Sequence, residues 1–408
     1  MLRRLAITSL VLGAALALAA IPARTSRRPQ YGGTFRVEIG AALASLDPAT
    51  SAASASGDTS IWNHVDSLMR DLQNSLIDPA SNNGPFHISS WQPSRLLTLQ
   101  ANDAFREGRP FVDAVEISMG RPLRDRLLDL ELNKSDLTEI PAPDARHAAD
   151  RGIRISQSQP DELLAVVFLE NRATADPRAR QALSLAIDRA AIVTYLLQKF
   201  GEPSAALLPQ WSSGTSFLFS IAPDVPRAKE LSSQIAPAPH FGLGYDSADP
   251  LEQSVAERIV VNAKESGLAV SAVGIAPQSA QKSGAAPTTD ALVVRVAMDS
   301  PKPAAALDGL LRDFGAFGAG NVSANPLSDS ATPQQIYDRE REVLDSYRIV
   351  PLVWLPQVYG LSARVRNWIP PGPGENWPLA DVWLDQNVDQ NPNHGQAQGA
   401  AAAPKDRE

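Results

Sequence analysis

One stretch of this 408-residue chain, residues 176–201, limits the choice of fold more than any other. Asp176 can cap a helix, and Pro177 suits the first helical turn, where its missing N–H needs no partner. Apolar side chains then recur at i, i+3, i+4, i+7 and i+8, which predicts a helix with one buried face. The residues of that face are Ala179, Ala182, Leu183, Ala186 and Ile187.

A second helix should follow the first after a tight corner. Asp188 can cap it, and Gly201 is placed to end it. Its predicted buried side carries Ile192, Tyr195 and Leu196. Taken alone, the residues of the two segments indicate a pair of core helices and no particular function.

Strands and helices alternate through the remainder of the chain. Residues 163–169 form a continuous apolar run, which is typical of a strand buried on both faces. One helix should begin at Asp249, and another at Thr332 with Gln335 completing a capping box. The alternation predicts a doubly wound α/β region. Further strands are predicted at residues 34–39, 241–245, 268–273, 290–296 and 350–355.

Composition excludes several classes of partner and site. The formal net charge is −8, so a nucleic-acid backbone is not an expected partner, because neutralising phosphates needs clustered Lys and Arg. The chain has no cysteine, which rules out disulfides, thiolate metal sites and lipid attachment at a signal-peptide cysteine. At 408 residues and 44% hydrophobic content, two or more packed domains are expected.

The two termini predict export and a disordered tail. Residues 1–23 have the pattern of a signal peptide, with Arg3 and Arg4 before an apolar core and Ala23 at the cleavage point. An uncleaved anchor is the alternative. We therefore expect a soluble periplasmic protein that is not a lipoprotein. Residues 388–408 have too little apolar content to order themselves.

The central stretch resembles the segment by which family 5 solute-binding proteins of ABC importers, the peptide and nickel binders, are recognised. The family pattern is Arg-Gln-Ala-Leu, then Ile-Asp-Arg, then Ile-Val; residues 180–183, 187–189 and 192–193 match it. The family's opening strand and its Leu-Asp-Pro segment are matched by residues 32–37 and 46–48.

A later landmark also matches, and one large part does not. Residues 84–117 follow the family's Gly-Pro-Tyr, Trp, Leu-Leu, Asn and Lys-Pro-Asp order. Members normally carry most of an extra domain between the Leu-Asp-Pro segment and this landmark, and its signature is absent here. The segment after Pro303 is also shortened.

The resemblance implies an α/β fold of the two-lobed periplasmic-binding-protein type (type II), with mixed sheets flanked by helices and a hinge between the lobes. Lobe 1 is expected from residues 31–168 and 350–387, and lobe 2 from residues 169–349. The chain would then cross between lobes near Leu169 and Val350.

Enzyme signatures are missing from the sequence. No Gly-x-Ser-x-Gly elbow and no phosphate-cradling glycine loop occurs, so no catalytic residue and no cofactor is predicted. No histidine pair lies at i, i+4, so no metal site is predicted either. The five histidines are His64, His87, His147, His240 and His394. A periplasmic hydrolase has only the fold class in its favour.

The resemblance also points to one carboxylate. In peptide-binding members an Asp in a loop after a strand pairs with the ligand's α-ammonium, and Asp299 stands at that position. Val296 and Ser300 replace the expected aromatic residues beside it. The structural alternative is that Asp299 caps a turn before Pro301.

Four further residues complete the predicted ligand-binding set. Trp211 lies in a Pro- and Ser-rich loop, where burial is harder, and could line a cleft. Arg295 lies in an otherwise apolar strand and is either a strand-end surface residue or a solute-facing cation. Leu46 and Asp47 come from the Leu-Asp-Pro match. The remaining strand and C-terminal tryptophans are expected in the core: Trp91, Trp354, Trp368, Trp377 and Trp383.

The function that the resemblance implies is capture of a solute and its presentation to an ABC permease. A peptide or another elongated organic solute is favoured over a bare metal ion, because no ligand cluster is visible. A monomer is expected. The alternative is a degenerate member that acts as an envelope scaffold or sensor without transport, which the missing domain and the replaced aromatic residues favour.

Overall fold

The computed structural model describes residues 28–42, 84–170, 174–235, 240–275, 289–320, 322, 325–328, 330–375 and 377–386. Its strands are β1 (Thr34–Glu38), β2 (Phe86–Gln92), β3 (Leu96–Ala101), β4 (Ala114–Ser118), β5 (Leu137–Glu139), β6 (Arg154–Phe168), β7 (Glu202–Pro203), β8 (His240–Asp246), β9 (Ala269–Ile275), β10 (Ala291–Ala297), β11 (Ile349–Leu361), β12 (Val365–Arg366) and β13 (Trp383–Leu384). Its α-helices are α1 (Leu123–Glu131), α2 (Ala145–Asp150), α3 (Pro177–Ala186), α4 (Arg189–Ala191), α5 (Gln210–Ser213), α6 (Val225–Ser233), α7 (Pro250–Glu265), α8 (Pro303–Ala316) and α9 (Pro333–Asp345).

Most strands join one mixed sheet. Its order is β2-β3-β4-β1-β5-β11-β6-β10-β8-β9, with β7 paired to β11 beside this path. The first five strands of that order form one half of the sheet, and β10, β8 and β9 form the other. The long strands β11 and β6 lie between the two halves and belong to both. This confirms the predicted α/β class and its mixed sheet.

Local capping signals place the helices as predicted. The side chain of Asp176 accepts from the backbone N–H of Arg178 at the start of α3, and Asp188 accepts from that of Ala191 at α4. Asp249 caps α7 in the same way. The capping box of α9 is complete, because Thr332 and Gln335 each bond the other's backbone. Such caps satisfy N–H groups that the helix itself leaves free.

The second central helix differs from its prediction in one respect. After α4 the backbone widens into a π-helical turn, Ile192–Leu196, which shifts the angular position of every later side chain. Tyr195 was predicted on the buried side but is 75% exposed, while Ile192 and Leu197 are fully buried. Gln198 and Lys199 take the left-handed conformation that ends the segment, so the prediction of Gly201 as its terminator is wrong.

Each half of the sheet has its own apolar packing on both faces. In the first half, one face packs around Phe35 and Tyr359, and the other around Leu127 and Val358. In the second half, α3 and α7 cover one face of β6 and α8 covers the other. Alternate residues of β6, such as Leu163 and Leu164, serve these two faces because side chains alternate along a strand.

The tryptophans predicted for the core lie there, with one less buried than the others. Trp354 is 1% exposed, and Trp368, Trp377 and Trp383 are 8%, 6% and 6% exposed. Trp91 is only partly buried against the first-half core. Across the described part of the chain, we find no helix that is both long and apolar enough for a membrane span.

Candidate functional site

The strands β6 and β11 become irregular where they pass from one half of the sheet to the other. Their pairing shifts register between Leu355 and Pro356 and again between Pro356 and Val358. Pro356 stands opposite Pro160, and neither proline has an N–H to give to the ladder. We call residues 157–161 of β6 and 355–359 of β11 the crossing.

A cavity of about 310 Å³ opens on one face of the crossing. Its walls come from the crossing itself and from the turn after the π-helical segment, including Gln157, Gln159, Lys199, Phe200 and Glu202. The volume is at the lower end of the range for small-molecule sites.

The backbone beside this cavity is strained. Gln198 and Lys199 have φ values of 48° and 72°, which are uncommon for residues other than glycine. The nearby Gly201 has a φ of 153°, and an added Cβ there would lie 3.0 Å from Val353 Cγ1. A larger residue would therefore be strained at this position. Strain and a π-helical turn beside a polar cavity recur at functional sites in proteins.

The crossing also carries a hydrogen-bonded chain of polar groups. Gln357 Nε2 donates to Asp161 Oδ2 at 2.8 Å, and the Tyr359 hydroxyl donates to Gln357 Oε1 at 2.6 Å. The Gln357 backbone N–H donates to Ser158 Oγ at 2.9 Å, which ties β11 to β6. The backbone N–H of Met298 donates to the Asp161 carbonyl at 2.7 Å.

Asp161 is a buried carboxyl group with an unusual environment. It is 2% exposed, and burial raises its pKa to about 8, with the neighbouring Glu162 charge adding to the rise. The bond from Gln357 and its own backbone N–H oppose that rise. The charged form of Asp161 is therefore disfavoured while the protein is in this conformation.

Three aromatic rings surround the far end of this polar chain. The ring centroids of Tyr359 and Trp368 are 5.2 Å apart, those of Trp368 and Trp377 5.8 Å, and those of Tyr359 and Trp377 6.2 Å. All three pairs are edge-to-face, the favoured arrangement for such quadrupoles. The indole N–H groups of both tryptophans are buried and have no hydrogen-bond partner among the described residues.

Arg295, a predicted solute-facing cation, is held by two carboxylates. Its guanidinium lies 3.2 Å from Glu162 Oε2 and 2.8 Å from Asp249 Oδ2. The side chain is 20% exposed. Burial also raises the pKa of the nearby Glu252 to about 7. Arg295 therefore balances an acidic cluster at the ends of β8 and β10, and its solute role stays a prediction.

Asp299 lies in the loop between β10 and α8. Its carboxylate is 3.8 Å from Arg312 on α8, and its side chain is 52% exposed. An added Cβ at Gly309 of the same helix would lie 2.6 Å from Asp299 Oδ1, so the carboxylate packs on that helix. Across the gap to the first half, Gly374 touches the Asp299 backbone. Its role toward an ammonium group stays a prediction.

Trp211 lies beside the crossing, and its role toward a solute stays a prediction. Its indole Nε1 donates to the Pro160 carbonyl at 2.8 Å, and the ring packs against the core under α8. Leu46 and Asp47 fall outside the described residues.

Sequence reasoning missed the polar chain of Asp161, Gln357 and Tyr359. The sequence did contain one indication that Asp161 is unusual. Asp161 and Glu162 stand directly before the apolar run that begins at Leu163, and carboxylates at the head of a buried strand need a reason to be there.

A family profile gives the clearest comparison with known proteins. The profile described as bacterial extracellular solute-binding proteins, family 5 (middle), matches residues 46–318, which is more than half of the chain. Among curated proteins, the oligopeptide-binding protein AppA of Bacillus subtilis is 30% identical over 149 residues. That match covers 35% of this chain and 26% of AppA.

Solved structures show the same fold. The substrate-binding protein CtaP of Listeria monocytogenes superposes with a TM-score of 0.64 at 18% identity, covering 74% of this chain and 66% of CtaP. NikA of Brucella suis, solved with Fe(III)-EDTA, gives a TM-score of 0.65 at 16% identity and covers 74% and 68%.

The chain is short beside these relatives. It matches about a quarter of the length of AppA and about two thirds of the CtaP chain. The family match nevertheless runs through the central helices and most of the second half of the sheet. This chain belongs to the bacterial extracellular solute-binding proteins of family 5.

Proposed function

We propose that this chain is an exported, monomeric solute-binding protein that captures a peptide or another elongated organic solute and delivers it to an ABC import permease. The family and its relatives are substrate-binding proteins and not enzymes, and members act outside the cytoplasm. The observation that carries the proposal is the crossing, where the two halves of the sheet meet beside a polar cavity.

The solute would bind at the crossing, because both halves of the sheet meet there and a change in the angle between them would change access to the site. The lobe boundary near Leu169 and Val350 stays a prediction. The pairing of β11 with β6 shifts register between Pro351 and Val353, close to Val350, and twice more at Leu355–Val358. We propose that the two halves bend relative to each other over this irregular stretch, which includes the crossing.

A peptide is the favoured solute class. AppA carries the name oligopeptide-binding protein, and its solved structure holds a nonapeptide. In this chain the cavity at the crossing is lined by the amides of Gln157 and Gln159 and by the ring of Phe200, which suit the mixed surface of a peptide. Asp299 and Trp211 lie close enough to the crossing to serve as further solute contacts.

A thermal-shift panel tests the proposal. A solute that binds only the folded protein raises the unfolding temperature by mass action, so tripeptides to nonapeptides should raise it and sugars should not. Gln159→Trp, which fills the cavity, should abolish the shift. Gln100→Trp, an exposed glutamine on β3, is the matched control and should leave it intact. A panel in which no peptide acts would refute the proposal.

One observation favours the scaffold or sensor alternative. Arg312 stands 3.8 Å from Asp299, where the ammonium of a peptide would compete with it. The same panel separates the two functions, because a scaffold that has lost its solute gains no stability from any member.

Export is the remaining part of the proposal. The signal-like residues 1–23 lie outside the described part of the chain, so the support is their sequence pattern alone. Sequencing the N-terminus of the periplasmic protein should find a start just after Ala23. Intact Met1 on protein in the cytoplasm would contradict it.

A further inference from the structure

One oxygen of Asp161 is buried without a partner. Oδ2 receives the bond from Gln357, but Oδ1 has no hydrogen-bond partner of adequate geometry among the described residues. A carboxylate can accept about four hydrogen bonds, and leaving a buried polar atom unpaired is destabilising. An orphaned oxygen in a native structure is therefore a position that another group can complete.

No cation of the protein fills that position in the described part of the chain. Arg295, on the neighbouring strand β10, is held by Glu162 and Asp249. Arg312, on α8, lies beside Asp299. Glu162, next in sequence, adds negative charge near Asp161. The strand β11 contributes only the neutral Gln357 and Tyr359. The surroundings thus carry more negative than positive charge.

The polar chain determines which oxygen of Asp161 is left without a partner. The Tyr359 hydroxyl donates to Gln357 Oε1, which leaves the Gln357 amide nitrogen to donate to Asp161 Oδ2. Oδ1 is then left for a donor from outside the chain. Beyond Gln357 the chain ends at the rings of Tyr359, Trp368 and Trp377, which pack on one another in the core of the first half.

We propose that Asp161 binds a cationic nitrogen of the solute, an ammonium or guanidinium group, whose N–H donates to Oδ1. This rests on the proposed function and names the class of solute for the same crossing. Because Asp161 is 2% exposed, the solute reaches it when the two halves part and the contact between Gly374 and the Asp299 loop opens.

Binding at this site exchanges one positive charge for another. Burial raises the pKa of Asp161 to about 8, so the empty site holds a proton at neutral pH. When the cationic nitrogen enters, that proton leaves for the solvent and the carboxylate pairs with the solute. Below the pKa, the apparent affinity should therefore fall by up to about tenfold for each pH unit. A cation that paired with an already ionised carboxylate would show no such dependence.

Asp161 and Asp299 differ in their exposure and in the cations beside them. Asp299 is 52% exposed and already has the Arg312 guanidinium beside it. Asp161 is enclosed and has no cation of its own. Loss of the proton release in Asp161→Asn, but not in Asp299→Asn, therefore identifies Asp161 as the carboxylate that receives the charge.

The experiment uses the full exported chain and matched pairs of probes. The pairs are tri-alanine with N-acetyl-tri-alanine, cadaverine with 1,5-pentanediol, and L-arginine with L-citrulline. Calorimetric titration at about pH 6 and about pH 9, in two buffers of different ionisation enthalpy, gives both the affinity and the number of protons released. The variants are Asp161→Asn, Asp299→Asn and, as a control, Asp144→Asn, a half-buried carboxyl on another element.

We expect at least one cationic probe to bind with release of a proton, more tightly at the higher pH, and its neutral partner to bind at least tenfold more weakly. Asp161→Asn keeps the acceptor for Gln357, and should abolish the proton release and weaken binding at least tenfold. Asp144→Asn should change neither. Proton release by the unmodified protein, measured on binding of a cationic probe, tests the proposal even if Asp161→Asn folds poorly.

Three results overturn the proposal. If neutral probes bind as tightly as cationic ones, the protein binds a solute but Asp161 is not a cation site. If cations bind without proton release and Asp299→Asn alone removes them, the charge belongs to Asp299. If no probe of either kind binds, the proposed solute-binding function falls together with this inference.

Discussion

Gly374→Ala tests whether the contact over the crossing is as close as the structure shows. Gly374 has φ of 70°, and an added Cβ would overlap the carbonyl oxygen of Asp299. The contact joins the C-terminal segment, which packs on the first half of the sheet, to the loop before α8 in the second half. The substitution therefore acts on two features at once: the left-handed backbone and the contact between halves.

Gly214 separates these two features. Its φ is 71°, almost the same, but nothing lies within 4 Å of an added Cβ. Gly214→Ala should therefore carry only the backbone penalty, about 1–2 kcal/mol of unfolding free energy. Gly374→Ala should carry that penalty plus about 1–3 kcal/mol for forcing apart a packed contact.

The assay is urea denaturation of both variants beside the parent protein. The expected order is parent, then Gly214→Ala, then Gly374→Ala, with the two variants at least about 1 kcal/mol apart. Because the clash is with backbone atoms, side-chain rotation cannot relieve it. Equal losses, within about 0.5 kcal/mol, would mean that the contact is open in solution, and the closed crossing described here would be wrong.

Three further predictions concern the core, the buried carboxyls and the loop carboxylate. Leu183→Ala should reduce the unfolding free energy by about 2–5 kcal/mol because Leu183 is 1% exposed, whereas Leu128→Ala, at 45% exposure, should cost well under half as much in the same denaturation series. Burial raises the pKa of Glu340 to about 7, so above about pH 4.5 the folded state keeps a proton that the unfolded state has lost. The free energy of unfolding should therefore fall as the pH rises from about 4.5 to about 7, by at most about 1.4 kcal/mol per pH unit. Denaturation of Glu340→Gln should show a flatter pH profile. Arg312→Gln should strengthen binding of tri-alanine by calorimetry if Asp299 receives the ammonium, and unchanged affinity would assign Asp299 to the turn.

Features decided within a few residues could be predicted from the sequence. A helix cap depends on one side chain and the N–H groups two or three positions later, so Asp176, Asp188, Asp249 and Thr332 were all identified correctly. The π-helical turn at Ile192–Leu196 could not be found in this way. Apolar spacing assumes 3.6 residues per turn, and a local change in that number moved Tyr195 from the core to solvent.

The candidate site needed long-range information. Asp161 and Gln357 are 196 positions apart, and neither belongs to a recognisable motif. What brings them together is the register of β6 on β11, which includes the Pro160–Pro356 pair and three register shifts. The family resemblance directed attention to Asp299, because it aligns by position in a loop. It carried no information about a carboxyl group within a strand.

The crossing also bears on whether a chain that matches only part of its relatives can still bind a solute. Each half of the sheet has its own apolar core on both faces, so neither half depends on the other for its packing. What joins them is a pair of strands whose ladder is broken at Pro160 and Pro356, and broken ladders bend more easily than continuous ones. A scaffold that had no solute to admit would gain stability by replacing the buried Asp161 with an apolar residue, because a buried carboxyl oxygen without a partner is destabilising. The presence of Asp161 at this joint therefore supports the proposed binding role over the scaffold alternative.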